Sequence, residues 1–157
     1  MPRPILYLSG PYSATNGKTV TQNIEVARRY ALAAWEAGWA AVCPHLNTAH
    51  FEDRCTLSHA DWLDGDLAII ERMDPDRDAM LMLPGWAHSR GALQERAAAL
   101  RRGIRVFQHL PLPPEQGAER CAYFRRVHYG RCSYDVCASP ATSCPPGVSC
   151  PIRRRVI

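Results

Sequence analysis

The chain lacks any apolar run near the roughly 18 residues that would cross a bilayer, and its first residues carry no charged, apolar, small-residue leader. The expectation is a cytoplasmic protein with no membrane partner. Gly17-Lys18-Thr19 follows the first small-residue loop, but the glycine that G-x-x-x-x-G-K-[ST] needs five residues earlier is replaced by Tyr12, so the P-loop pattern is absent. No C-x-x-C pair occurs among the seven cysteines, so the zinc signal is weak, and no segment repeats another, so a solenoid is excluded. Nor is there a large excess of one charge. Lys+Arg number 19 against 15 Asp+Glu, a formal net charge of +4. So mild a balance fits phosphorylated substrates and does not call for nucleic acid as a partner.

What is present is a globular composition: 157 residues, 46% hydrophobic, enough to bury one core. From Ile5 to Gln108 short apolar runs alternate with helical stretches, the pattern of an α/β protein with a parallel sheet. Strands are expected at Ile5 to Ser9, Trp39 to Cys43, Ala79 to Leu83 and Ile104 to Gln108. Between them, helices are expected at Val20 to Ala37, Leu57 to Arg72 and Gly91 to Arg102, the first closed by Gly38, the second capped by Ser58 and the third stopped by Gly103. The architecture predicted is a three-layer sandwich around a sheet of four to five strands, over residues 1–110. Residues 111–157 change character: PLPPEQG breaks the pattern, Glu119 to His128 reads as a short helix, and the rest is an irregular Cys/Pro-rich tail. Cys121, Cys132, Cys137, Cys144 and Cys150, with His128, are expected to stay reduced, metal ligation and disulfides being the alternatives. Cys43 reads as a buried strand-end thiol, and Trp35 and Trp39 as core or interface residues.

In an open parallel sheet the ligand lies beyond the carboxyl ends of the strands, so the segments after each strand matter most. After the first come Ser9, Gly10, Pro11, Tyr12 and Ser13, small enough in part for a phosphate to approach; after the second comes His45, with His50 further on. After the third, Ser89 and Gly91 stand at the mouth of a helix that carries Glu95 in its first turn or two. Backbone N–H groups, a hydroxyl and the helix dipole make that mouth an anion site, with a carboxylate one turn away. Asp61, Asp64 and Asp66 cannot all face one way; Asp66 is the candidate second carboxylate and the other two read as a solvated face. Tyr12, Trp62 and Trp86 are candidates to stack on a base at the mouth. Glu95 taken alone reads equally as an exposed helical glutamate.

These residues together, Tyr7 with Ser9-Gly10, Asp66-Leu67 eight residues before Asp74, and Ser89-x-Gly91-x3-Glu95, resemble the nucleoside 2-deoxyribosyltransferase superfamily. Within it they are most like the 2'-deoxynucleoside 5'-phosphate N-hydrolases. The resemblance covers about residues 4 to 108 and implies a flavodoxin-like or Rossmann-like sheet. It implies Glu95 as nucleophile at the anomeric carbon, Tyr7 as the group that holds it, and Asp66 as the acid that assists the departing base. A serine six residues before the nucleophile, here Ser89, is similar to the nucleotide hydrolases rather than the free-nucleoside transferases. Gly91 and Ser13 would then meet the phosphate and His45 the base or sugar. The implied activity is hydrolysis of the N-glycosidic bond of a (deoxy)nucleoside 5'-monophosphate without cofactor or metal, by a homodimer or larger homo-oligomer. Base exchange by a transferase and noncatalytic nucleotide sensing are the alternatives.

The chemistry is consistent with those residue types. N-glycosidic cleavage passes through an oxocarbenium-like state, which a carboxylate beneath the anomeric carbon stabilises and can trap covalently. A second acid neutralises the departing nitrogen.

Overall fold

β1 (Ile5–Ser9) sends its side chains alternately to two different places. Leu6 and Leu8 enter one buried cluster and Tyr7 enters another, on the opposite side of the sheet. The computed structural model from which this follows describes residues 2–14, 17–114, 124–129 and 132–137, the last two stretches by their backbone alone. The chain divides into two compact units, Met1–Pro111 and Leu112–Ile157.

The first unit is α/β. Its four strands, β1, β2 (Ala40–Val42), β3 (Ala79–Met82) and β4 (Arg105–Phe107), are all parallel in the order β2-β1-β3-β4. On one face lies α1 (Val20–Glu36), whose Ile24, Ala27, Ala31 and Ala34 recur at the spacing of a single buried stripe. Thr19 starts this helix with a full capping box, its side chain accepting from Gln22 N–H while the Gln22 side chain accepts from Thr19 N–H. Trp39 completes that core, fully buried, with its indole N–H donating to Pro111 O at 2.8 Å. On the other face lie α3 (His59–Ile70) and α4 (Arg90–Arg101), joined to Tyr7, Met80 and Met82 through Ile70, Ala92, Ala98 and Ala99. A four-residue helix α2 (Pro44–Asn47) and short 3-10 turns at Phe51–Asp53 and Trp86–His88 fill connections that sequence periodicity is too coarse to separate from loop.

Strand order turns around at β1. The chain leaves β1 for β2 on one side and later returns to place β3 on the other, which opens a crevice beyond the carboxyl ends of β1 and β3. Gly10 sits at this crossing: a Cβ there would lie 2.7 Å from Leu83 Cβ, so the two strand ends approach as closely as they do only because position 10 is glycine.

Two expectations need correction. Of the two places expected for Trp35, core or interface, the core is excluded: it is half-exposed on α1, with the Arg3 guanidinium 5.6 Å over its ring. The short helix expected over Glu119 to His128 is replaced, at Phe124–Tyr129, by strand β5, which pairs antiparallel with β6 (Cys132–Cys137). The register sets Tyr129 opposite Cys132, so two residues, Gly130 and Arg131, separate the strands. A two-residue connection beginning with glycine between runs rich in aromatic and β-branched residues is a hairpin signal, and it outweighs the weak helical pattern. Cys121, Cys144 and Cys150 lie outside the described residues. No helix among the described residues is long and apolar enough to cross a membrane.

Candidate active site

A cavity of about 370 Å³ opens at the crevice beyond β1 and β3. The β1 loop supplies Gly10, Pro11, Tyr12 and Ser13, the start of α2 supplies His45, α3 supplies His59, Trp62 and Asp66, and the start of α4 supplies Ser89, Gly91 and Glu95. Tyr7 and Ser9 do not line it; they lie fully buried beneath, on the strand itself.

Glu95 is the centre of the arrangement. It falls on the buried stripe of α4, between Ala92 and Ala98, and is only 6% exposed, which excludes the reading of an exposed helical glutamate. A buried carboxylate is tolerated only with donors. Tyr7 supplies one, its hydroxyl donating to Oε1 at 3.0 Å, and Ser9 supplies the other, donating to Oε2 at 2.5 Å. Burial raises the Glu95 pKa, while the Ser9 and Tyr7 hydroxyls, Asp66 and the charge of His59 pull the other way. Asp66 comes from the facing helix α3, half-buried, and hydrogen-bonds Glu95; burial first, and then the neighbouring Glu95 charge, push it up to about 7. Both effects raise the Tyr7 phenol far above its ordinary value, so it remains a donor at every physiological pH. Both carboxyls are therefore raised above their ordinary values, and the two hydroxyl donors go to Glu95, which favours its ionised form. Asp61 and Asp64 are exposed, Asp61 accepting from Ser58 N–H and Oγ–H at 2.7 Å each in the cap of α3.

The start of α4, where the sequence pattern expects an anion, lines one end of the cavity. Ser89 is its N-cap, accepting from Ala92 N–H at 3.3 Å, which leaves its own hydroxyl proton to donate. The first N–H groups of a helix have no intrahelical partner, and Arg90 and Gly91, the first two residues of α4, line the cavity. Gly91 has no steric need to be glycine, since a Cβ there would come no nearer than 3.8 Å to the His59 ring; what its absent side chain leaves is access.

Other expected residues take different parts. His45 is 4% exposed: its Nε2–H donates to Pro11 O at 3.0 Å and burial lowers its pKa, so a neutral imidazole braces the β1 loop from below. Tyr12 clasps the segment after α2, accepting from His50 N–H at 2.9 Å and donating to Glu52 at 2.8 Å, with its ring tilted against His45. His50 holds the left-handed backbone (φ 59°) that this clasp requires. Trp62 reaches the cavity with Phe51 edge-on to it at 6.2 Å, but Trp86 does not; it packs on the second core beneath the Arg96 guanidinium. Sequence reading missed Asn23, a buried amide on α1 that donates to the carbonyls of Tyr12 and Ser13 at 3.2 and 2.9 Å and so shapes the loop. Its signal was a polar residue on an otherwise apolar stripe. His59, His88, Arg90 and Glu52 were also missed, because nothing in their spacing marks a connecting-turn or helix-start residue as lining a cavity. Among the described residues no cluster of His, Cys, Asp and Glu is disposed to hold a metal.

Comparison with known proteins finds no matching family model, no matching curated protein and no matching solved structure.

Proposed function

We propose that the chain hydrolyses the N-glycosidic bond of a nucleoside or deoxynucleoside 5'-monophosphate, releasing free base and the sugar 5-phosphate, on a sheet of flavodoxin-like order. The observation that carries this reading is the clamped Glu95 carboxylate, hydrogen-bonded by Tyr7 and Ser9 and paired in one cavity with Asp66, whose carboxyl is pushed up to about 7.

Geometry supports the substrate class. Glu95 stands five residues after Arg90, so it lies about 7.5 Å along α4 from the anion end. A phosphate held by Ser89 and the N–H groups of Arg90 and Gly91 would therefore set the sugar of the same nucleotide over Glu95. The base then falls toward Asp66 and Trp62 on α3.

In the reaction, Glu95 attacks the anomeric carbon as the carbon–nitrogen bond breaks, and Asp66 gives its proton to the departing base. Water, deprotonated by the Asp66 carboxylate, resolves the glycosyl-enzyme and restores both groups. A retaining mechanism needs the acid and the nucleophile on the two sides of the scissile bond, and Asp66 on α3 and Glu95 on α4 line the same cavity from facing helices.

The test is release of free base from a panel of ribo- and deoxyribonucleoside 5'-monophosphates and their unphosphorylated counterparts, for wild type and Glu95→Ala. Release from monophosphates alone, lost in the variant, is the expected result. Release only when an acceptor base is added would instead identify a transferase. Nucleotide binding without release from any compound would leave a sensing module.

A further inference from the structure

We propose that Ser9 is a positioning residue that holds the second oxygen of Glu95 and thereby decides which of the two cavity carboxyls carries the proton. The sequence pattern places Ser9 in the small-residue loop as a substrate contact; the structure puts its side chain elsewhere. It is 1% exposed, does not line the cavity, and donates to Glu95 Oε2.

Its placement is rigid. Ser9 closes β1 opposite Met82, its carbonyl accepts from Leu83 N–H at 2.7 Å, and the close approach at Gly10 pins the next residue against the same leucine. Side chains alternate along a strand, so Ser9 and Tyr7, two residues apart, point to the same side. Both therefore reach Glu95 from one immovable element, one hydroxyl to each oxygen. A serine has a single O–H to donate, and so deep in the fold neither water nor a ligand competes for it.

The consequence is an asymmetry between two carboxyls that would otherwise be alike. Burial penalises the charge of each, and their contact allows only one to ionise easily. Hydroxyl donors stabilise the ionised form, and both go to Glu95. The negative charge settles there and the proton on Asp66. Without the Ser9 hydroxyl, Glu95 keeps only the Tyr7 donor, and the proton spends more time on the group that must be ionised.

The experiment has two arms on the full-length chain: carboxyl-carbon NMR titration of Glu95 and Asp66, which needs no turnover, and base release against pH. Only the second arm rests on the glycosidase reading. In Ser9→Ala the Glu95 midpoint should rise by roughly one pH unit, and kcat should fall about tenfold at pH 6 with KM within about twofold, the deficit narrowing toward higher pH. Ser9→Cys, whose thiol is a weaker donor of similar size, should fall between the two. A Glu95 midpoint unchanged in a folded Ser9→Ala protein overturns the proposal, since a purely structural serine would alter the melting temperature and leave the midpoint in place. Should Ser9→Ala not fold, Ser9→Cys decides by the same measurement: a raised Glu95 midpoint supports the proposal and an unmoved one ends it. If wild type releases no base yet the midpoint still rises, the glycosidase reading fails and the role of Ser9 stands.

Discussion

The two faces of β1 are built from the same strand and the same kind of helix, and they end in opposite chemistry. On one face Leu6 and Leu8 meet the alanine stripe of α1 in an apolar cluster with Trp39 and Cys43, and the one buried polar side chain of the helix, Asn23, is spent on the carbonyls of Tyr12 and Ser13. On the other, Tyr7 and Ser9 meet the alanine stripe of α4, interrupted by one glutamate at the position the stripe would bury. Small side chains let both helices pack closely on the sheet. The difference is that α4 holds a charge in a place where a charge destabilises the fold, and two hydroxyls from the strand are needed to offset it. Both faces bury an apolar core, and the second buries within it a carboxylate that only the strand hydroxyls make tolerable.

The sharpest way to break this comparison is to remove the charge. Glu95→Gln keeps the shape and should abolish base release, by about a thousandfold or more, while circular dichroism and nucleotide binding stay near wild type. If turnover survives, the second face is only a core with an odd residue in it. The mirror experiment is Leu6→Ala on the first face. It should cost about 3 kcal/mol in urea unfolding, from the lost burial and the cavity left behind, with kcat little changed while the protein remains folded.

Asp66→Asn tests the division of labour within the second face. Loss of a general acid should slow base release about a hundredfold at pH 6. In wild type, activity should decline as pH rises through about 7, where Asp66 loses its proton, and this limb should vanish in the variant. The sign for stability follows the same group. Its folded pKa lies above the ordinary carboxylate value, so the folded state binds the proton more tightly than the unfolded chain does. Asp66 thus adds stability fully at low pH and loses it as pH climbs from about 4 to about 7, a slope that urea titrations of Asp66→Asn should lack. The smallest effect is expected at the anion end. Ser89→Ala should remove about 1 kcal/mol of stability through the lost cap, and should raise KM for monophosphates while leaving unphosphorylated nucleosides unaffected.

Much of this was legible in the residues in order. Alternation of apolar runs with helical stripes determined the four parallel strands and the principal helices, because periods of 2 and 3.6 are local properties of strand and helix geometry. Ser58 marked one helix start, and the Ser89-x-Gly91 spacing with Glu95 behind it marked the start of α4 and its carboxylate, since a cap and a second-turn residue are set by rise per residue alone. The hairpin at β5 and β6 was readable too, had its glycine-first connection been weighed above its helical pattern.

Tertiary structure alone decided the rest, because the groups concerned come from segments far apart in the chain. Ser9 and Glu95 are separated by 86 residues, and only the meeting of β1 with α4 turns a loop-like serine into a partner of the carboxylate. The same holds for His45, which braces Pro11 from 34 residues away, and for Trp86, which packs on the core rather than at the mouth. Local spacing says which residues share a face; which face is buried, and against what, depends on how the strands are ordered. That order determines whether Glu95 is a solvated charge or a buried one, and with it where the proton of the pair resides.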